Sequence, residues 1–247
     1  MGHTMRQKPP PRAHASTARN SMMPPIFGCG YGRYAVVGVS LAAALTVWAS
    51  PPGFSTSLSE VLIGEYVSLF GQDARERLLR WQGFMKGRGT DARAESEILF
   101  LTTINVYFDR VRYMTDIAHW GTDDYWATPA EFIASNGGDC EDYAISKYFA
   151  LKELGVPIAR LRITYVTTTL IKEGAHMVLA YYATPQSDPL ILDNLDFVVR
   201  PASQRPDLVA VYSFNEEDAQ IAGGRRAVRQ VRRWRELTDR LEREARM

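Results

Sequence analysis

Two hydrophobic patterns follow one another along the chain after residue 50. In the first part apolar residues recur every three or four positions, most clearly at Ile98, Leu101, Ile104 and Phe108. This spacing is typical of amphipathic helices, and we predict helices over residues 78–84, 92–114, 129–134 and 139–154. In the second part short apolar runs predict strands over residues 161–167, 175–182, 190–193, 197–199 and 209–214. Helices before strands favour an α+β fold, with an antiparallel sheet packed on the helices.

Glycine and proline mark the expected ends of these helices. Asn136-Gly137-Gly138 predicts a turn directly before residue 139, and Gly155 followed by Pro157 is a stop signal after residue 154. The glycines at 87 and 89 are expected to end the helix over residues 78–84.

The last stretch, residues 225–246, carries nine arginines against four acidic residues. Apolar residues lie along one side of it and predict a C-terminal helix: Val231, Trp234, Leu237 and Leu241. Its charges fit a solvated, ion-paired helix or a basic face for a partner or a phospholipid surface.

A 15-residue run without a charge, residues 35–49, follows a basic stretch near the start of the chain. That layout is typical of a secretory signal peptide, and the run is shorter than the ~20 residues of a membrane-spanning helix. We therefore expect residues 1–50 to be a leader that exports the protein, with an uncleaved anchor or a buried core helix as alternatives. The 34 residues before the run are long for a leader, and a start at Met22 or Met23 would remove most of that excess.

Residues 51–247 are expected to form a single domain with a helical N-terminal part over residues 51–118. The chain is 46% apolar and 23% charged, which is ordinary for a globular protein. Its net charge of +1 is unevenly divided, because five basic and no acidic residues precede Glu60, which leaves 24 basic against 28 acidic residues. Nucleic-acid binding is therefore not suggested by charge.

The chain has two cysteines, Cys29 and Cys140, and export would remove Cys29 with the leader. Cys140 lies one residue into the predicted helix that follows the Gly137-Gly138 turn. The N–H groups and partial positive charge of a helix N-terminus stabilise a thiolate. The glycines would let a substrate backbone approach the sulfur, and the Cys140 amide would contribute to an oxyanion hole. The alternative is an inert, buried thiol.

A thiolate nucleophile needs a base, and the base needs an acceptor that orients it. After residue 50 the histidines are His119 and His176. His119 lies in a predicted loop beside Trp120, which favours a structural or exposed role. His176 begins an apolar strand, where its ring needs a hydrogen bond, and Asp193 ends the next apolar strand. A hairpin would bring His176 and Asp193 together; a core histidine with other partners is the alternative.

The segments around these residues resemble the bacterial transglutaminase-like cysteine proteinases, specifically the LapG-type periplasmic adhesin-releasing proteases. The similar segments are DDYWATPAEF, GGDCEDYA around Cys140, GAHMVLAY around His176 and LILDNLD around Asp193. The resemblance implies a papain-like, transglutaminase-like α+β fold. It also implies that Cys140 is the nucleophile, His176 the base and Asp193 the residue that orients the base.

The same resemblance implies a biological role. A periplasmic, calcium-dependent hydrolase of this type cleaves a large repeat-containing surface adhesin near its N-terminus, next to an Ala-Ala pair, and the released adhesin promotes biofilm dispersal. An inner-membrane cyclic-di-GMP receptor is the implied inhibitory partner. The long leader and the arginine-rich C-terminal stretch lie outside the resemblance.

Three acidic residues, Asp139, Glu141 and Asp142, lie beside the candidate nucleophile. Acids in a first helical turn complement the helix dipole, but three carboxylates also raise the pKa of a nearby thiol. A bound cation would remove that conflict, and the resemblance implies Ca²⁺ at these three residues. Calcium takes about six to eight oxygen ligands, so backbone carbonyls, water or loop acids such as Asp123 or Asp124 would complete the shell.

Two other functions fit the same residues. The triad would also serve to transfer the acyl group to an amine, as transglutaminases do, or to deamidate glutamine, because the sequence does not distinguish water from an amine as acceptor. A non-catalytic periplasmic binding module would keep the fold and bury the thiol. We find no motif for a serine hydrolase, a dinucleotide-binding fold or a Walker-type phosphate site.

Overall fold

Helices precede the sheet in this computed structural model, which describes residues 57–91, 96–172, 174–219 and 225–247. The expected leader over residues 1–50, with its apolar run and Cys29, lies outside the described residues. The helices are α1 (Glu60–Phe70), α2 (Asp73–Asp91), α3 (Glu97–Phe108), α4 (Asp116–Trp120), α5 (Pro129–Ser135), α6 (Cys140–Glu153), α7 (Glu216–Ala219) and α8 (Arg225–Arg246). The strands are β1 (Arg112–Tyr113), β2 (Gly137–Gly138), β3 (Leu161–Thr168), β4 (Ala175–Tyr181), β5 (Leu190–Leu192), β6 (Arg200–Pro201) and β7 (Leu208–Phe214). Within the described segments, every helix is too short or too polar to span a membrane.

Five of the described strands form one sheet in the order β6-β5-β4-β3-β7, with all neighbours antiparallel. The α+β class and the antiparallel sheet are therefore as the sequence predicts. Strands β4 and β5 form a hairpin in which Leu179 pairs with Leu192. Strand β5 ends at Leu192. The next residue, Asp193, therefore lies beside β4, the strand that carries His176.

Helix α6 is the central helix of the core. It begins after the N-cap residue Asp139 and is buried along nearly its whole length, as expected of a helix enclosed by other elements. It packs against β3 and β4 on one side and against α3 and α5 on the other. Strand β2, directly before it, pairs in parallel with β1 and fixes the chain at the start of α6.

The predicted bounds of two helices are wrong. Helix α2 runs over Asp73–Asp91 and contains Gly83, Gly87 and Gly89, although each glycine costs a helix about 1 kcal/mol. The buried side chains of Leu78, Trp81 and Met85 lie on one face of α2 and hold it in the core. Helix α3 ends at Phe108 instead of continuing to residue 114, because the chain turns there and enters β1.

Other elements were not predicted or differ from the prediction. Sequence analysis missed α1, and it placed a loop where α4 forms. The predicted strand over residues 197–199 is not observed in this described part of the chain. Its backbone groups are used elsewhere, since the Val198 amide donates to Asp196 Oδ1 at 3.1 Å and the Phe197 carbonyl accepts from Asn105 Nδ2 at 3.3 Å.

The arginine-rich stretch forms α8, with Trp234, Leu237 and Leu241 buried in the core; the side chain of Val231 lies outside the described residues. Arg233 ion-pairs with Asp124 at 3.1 Å and Arg240 with Glu131 at 3.4 Å, and both guanidinium groups are mostly buried. The helix is thus ion-paired to the rest of the protein instead of being surrounded by solvent.

A buried ion pair joins α6 to α3. Lys147 Nζ lies 2.6 Å from Asp109 Oδ1, and each side chain is only 1% exposed. Burial lowers the pKa of Lys147, although Asp109 opposes the shift. Burial likewise raises the pKa of Asp109 to about 6, against the opposing charge of Lys147. Such a pair contributes little net stability while it is intact, but losing one partner is costly.

Substitution of Lys147 by Met leaves the Asp109 carboxylate buried without its cation. We expect the free energy of unfolding to fall by about 3–5 kcal/mol. The double variant Lys147→Met, Asp109→Leu removes both charges and should recover most of that loss. Urea unfolding followed by circular dichroism measures both variants, and equal losses in the single and double variants would contradict the expectation.

Candidate active site

The β4–β5 hairpin brings His176 and Asp193 into direct contact. His176 is the second residue of β4, and its Nε2 lies 2.7 Å from Asp193 Oδ1. The two side chains are 2% and 0% exposed. Because Asp193 takes Nε2, the other ring nitrogen, Nδ1, is the one that a nucleophile can use. The structure therefore brings together the base and the orienting residue expected from the sequence.

Further groups hold Asp193 in place. Arg205 Nη2 donates to its Oδ2 at 2.8 Å, and the Leu195 amide donates to Oδ1 at 3.0 Å. Burial alone would raise the pKa of Asp193, but the bond and charge of His176, the Leu195 amide and Arg205 outweigh it and lower that pKa to about 2. Asp193 is thus ionised at neutral pH, as an orienting acceptor must be.

Arg205 and Asn105 were missed by sequence analysis. The Arg205 side chain is 3% exposed, and it also donates to both carboxylate oxygens of Asp207, at 2.9 and 2.8 Å. Asn105 Nδ2, from α3, donates to the Asp193 carbonyl at 3.3 Å. A buried aspartate requires a partner of this kind, but nothing in the spacing indicated which arginine or amide supplies it.

Cys140 is the first residue of α6 and is half-buried. The backbone N–H of Met177 is near enough to the Cys140 sulfur to lower the pKa of the thiol, so the sulfur lies near β4, close to the residue that follows His176. The thiol itself donates to Glu141 Oε2 at 3.1 Å. The candidate nucleophile thus lies near β4, the strand that carries His176, but its thiol hydrogen is directed at Glu141, and no hydrogen bond joins it to His176 among the described residues.

The charge around the sulfur opposes ionisation. Burial raises the pKa of the Cys140 thiol, and the carboxylates of Glu141 and Asp139 raise it further, while the Met177 amide lowers it. Burial and these carboxylates outweigh the stabilisation of the thiolate that was expected from the helix N-terminus. In this arrangement the thiol is protonated at neutral pH, and activation requires that the negative charge be offset.

Gly137 and Gly138, which precede Asp139 and Cys140, have a packing role. A Cβ on Gly138 would overlap Asp142 Oδ2 and lie 2.7 Å from the Phe132 ring. A Cβ on Gly137 would lie 2.9 Å from His119 Cε1. These close approaches leave room for glycine alone.

His119 has the structural role that the sequence favours, although it lies in α4 and not in a loop. Its Nε2 is 2.9 Å from Ser135 Oγ, and its ring meets the Trp120 ring edge-on with centroids 4.4 Å apart. Burial lowers the pKa of His119.

A cluster of carboxylates, which we call the acid cluster, lies beside Cys140. Oxygens of Asp116, Asp139 and Asp142 are within 4.8 Å of one another, and Glu141 adjoins them in a second such group with Asp139 and the thiol. Among the described residues, neither Asp116 Oδ1 nor Asp139 Oδ1 has a hydrogen-bond partner, although both atoms are buried. Sequence analysis missed Asp116 because it comes from α4, far from the Cys140 segment in sequence.

The electrostatics of the acid cluster fit a divalent cation. Burial, followed by the charges of Glu141 and Asp142, raises the pKa of Asp139 to about 11. Burial is also the main reason that the pKa of Asp116 rises to about 6. Hard carboxylate oxygens without partners are the ligands that Ca²⁺ prefers. Neither Asp123 nor Asp124 belongs to the acid cluster of the described residues. The Asp124 carboxylate is instead bound by Trp126 Nε1 and by Arg233, each at 3.1 Å.

The chain is similar to one described protein family and to several solved structures. Residues 86–221 match the family described as bacterial transglutaminase-like cysteine proteinase BTLCP. Legionella pneumophila LapG is similar at 38% identity and a TM-score of 0.60, over 77% of this chain and 99% of that one. Its EGTA-treated form is similar at 37% identity and a TM-score of 0.61, over 77% and 99%. Its calcium-bound form is similar at 43% identity and a TM-score of 0.54, over 63% and 83%. No curated protein matches.

The lowered pKa of Asp193 predicts how stability depends on pH. The pKa is about 2 in the folded protein against an ordinary value of 3.8, so the ionised carboxylate stabilises the fold above pH ~4 and this contribution is lost as the pH falls towards ~2. It amounts to about 2 kcal/mol. Asp193→Asn should remove it and flatten the dependence of unfolding free energy on pH between about 4 and 2.

Urea unfolding at a series of pH values measures this difference. The control is Asp188→Asn, which changes an exposed aspartate of the same hairpin and should leave the pH dependence as in the original protein. An unchanged slope in Asp193→Asn would show that the carboxylate is not stabilised by its neighbours.

Proposed function

The chain belongs to the family of bacterial transglutaminase-like cysteine proteinases, and on that basis we propose that it is a calcium-dependent periplasmic endopeptidase that releases a large surface adhesin. The family is described as one of cysteine proteinases, so the activity that it indicates is peptide hydrolysis by a cysteine nucleophile. The observation that carries the proposal is the buried His176–Asp193 hydrogen bond, on the strand whose Met177 amide is near the Cys140 sulfur.

The proposed mechanism is peptide hydrolysis through a thioester. The Cys140 proton passes to His176 Nδ1, and the thiolate sulfur bonds to the scissile carbonyl carbon. His176, oriented by Asp193, then gives its proton to the leaving amine as the C–N bond breaks. Water, deprotonated by His176, attacks the thioester carbon, and the carboxylate product leaves as the thiol re-forms. The Cys140 amide at the start of α6 is the proposed donor to the oxyanion.

Calcium is proposed at the acid cluster, held by Asp116, Asp139 and Asp142, with Glu141 adjoining them. The unpartnered buried oxygens of Asp116 and Asp139 support this assignment, and one structure of a similar protein is described as calcium-bound. When bound, calcium supplies positive charge that offsets the carboxylates around the thiol. The three aspartates supply and orient the oxygen ligands. Without the ion, their negative charge opposes formation of the thiolate that the reaction needs.

The substrate, partner and location are proposed from the resemblance of the sequence to LapG-type proteases. We propose that the leader exports the enzyme to the periplasm and that the substrate is a large repeat-containing adhesin, cut near its N-terminus so that the biofilm disperses. An inner-membrane cyclic-di-GMP receptor is the proposed inhibitory partner. The similarity to LapG over most of both chains supports these proposals.

Replacement of the nucleophile tests the catalytic assignment. Cys140→Ala removes the sulfur that forms the thioester in the proposed mechanism, so cleavage of a purified N-terminal adhesin fragment should fall by about 10⁴-fold or more. The near- and far-ultraviolet circular dichroism spectra should be unchanged. Cys29→Ala, made in the full chain with its leader retained, removes the other thiol; it is the matched control and should cleave normally. Retained cleavage in Cys140→Ala would refute the role of this residue.

The same assay separates the alternative activities. A labelled primary amine added with the fragment would be incorporated if the thioester were transferred to amines, whereas hydrolysis yields shorter, unlabelled products. Iodoacetamide distinguishes the binding module, because a thiol that does not react in the calcium-loaded protein would favour a non-catalytic role.

Removal of calcium should stop the reaction. We expect EGTA to abolish cleavage and added Ca²⁺ to restore it, because the uncompensated carboxylates keep the thiol protonated. Asp116→Asn removes one proposed ligand and should raise the calcium concentration needed for half-maximal cleavage by about tenfold or more. Asp123→Asn, in an exposed loop, is the control and should not change it. Full activity in EGTA would remove calcium from the proposal.

A further inference from the structure

Helix α8 begins at Arg225, beyond residue 221, where the match to the family ends. The proposed mechanism assigns no role to it. One side of α8 is anchored in the core, where Trp234 stacks on Phe149 with ring centroids 5.7 Å apart and an interplanar angle of 10°. Another side faces residues 123–128, which we call the supporting loop.

Two side chains of α8 hold the ends of the supporting loop. Arg233 Nε ion-pairs with Asp124 Oδ2 at 3.1 Å, and its Nη2 donates to the Asp123 carbonyl at 3.1 Å. At the other end Glu244 Oε1 accepts from the Thr128 hydroxyl at 2.5 Å. The loop is thus bound to one face of α8 at both ends.

Arg240 holds the middle of the supporting loop. Its Nη2 donates to the Trp126 carbonyl, and its guanidinium lies 4.5 Å from the centroid of the Tyr125 ring. Its Nε also lies 3.4 Å from Glu131 Oε2. Because these three contacts engage a single planar group, they determine its orientation.

The opposite side of the supporting loop binds the acid cluster. The Tyr125 amide donates to Asp116 Oδ2 at 2.5 Å, and the Ala127 amide donates to Asp142 Oδ1 at 2.7 Å. The Trp126 carbonyl and the Ala127 N–H belong to one peptide unit, and in a trans peptide they point in opposite directions. Arg240 and Asp142 therefore bind the two ends of a single peptide dipole.

We propose that α8 positions the acid cluster for cation binding, with Arg240 acting on Asp142 through the 126–127 peptide. This rests on the proposed function, in which Asp116, Asp139 and Asp142 hold calcium. The Arg240 guanidinium at the Trp126 carbonyl polarises the peptide and strengthens the hydrogen bond from the Ala127 N–H to Asp142. Asp142 is then held in one orientation before the cation binds. Substitution of a residue that orients a metal ligand in this way typically weakens metal binding about 10–100-fold.

Calcium affinity, measured by titration calorimetry on the full chain after EGTA treatment and its removal, tests the role of α8. Arg240→Met keeps the aliphatic stem and removes the guanidinium, so the Kd for Ca²⁺ should rise about tenfold or more. Arg243→Met changes an exposed arginine of the same helix and should leave the Kd unchanged. Arg240→Lys keeps a charged donor and should recover part of the affinity.

Thermal unfolding in EGTA establishes that each variant is folded before its affinity is measured. If Arg240→Met does not fold, Arg233→Met takes its place, with an expected rise in Kd of about threefold to tenfold. An unchanged Kd in the folded variant overturns the role of α8 and leaves calcium binding intact. An original chain that binds no calcium overturns both this inference and the calcium part of the proposed function.

Discussion

The buried carboxylate of Asp193 ties together distant parts of the chain. It accepts hydrogen bonds from His176 on β4 and from Arg205, which follows β6. Its own carbonyl accepts from Asn105 on α3. Desolvation would favour the neutral acid, so the ion persists because several donors converge on it. The same convergence fixes the imidazole ring relative to the helices, and the rest of the site is built around that fixed point.

A second constraint is the excess of negative charge at the start of α6. Side chains that complement a helix dipole also surround a sulfur whose chemistry requires the thiolate. In the described arrangement the carboxylates prevail, as the thiol contact with Glu141 shows. In the proposed function, the same charges that suppress the nucleophile attract the ion that relieves the suppression.

The sequence predicted the parts of the site that local signals encode. Cys140 follows a turn and begins a helix, while His176 lies on β4 and Asp193 directly follows β5, the next strand of the hairpin, so the proximity of His176 and Asp193 could be inferred. Asp116 and Arg205 could not, because each comes from a segment whose own pattern gives no reason to place it near the nucleophile. The length of α2 could not be predicted either. Its glycines disfavour a helix, but burial of the apolar face of α2 outweighs that cost. Tertiary packing supplies what the spacing does not contain.

The close packing at Gly138 has a consequence for reading substitution screens. Any side chain there would push on the Phe132 ring and on the carboxylate of Asp142, and so displace the first turn of α6. Substitutions of Gly138 would thus be tolerated as poorly in such a screen as substitutions of Cys140, for a steric reason. Loss of function at residue 138 reports steric exclusion, and only a measurement of folding distinguishes it from lost chemistry.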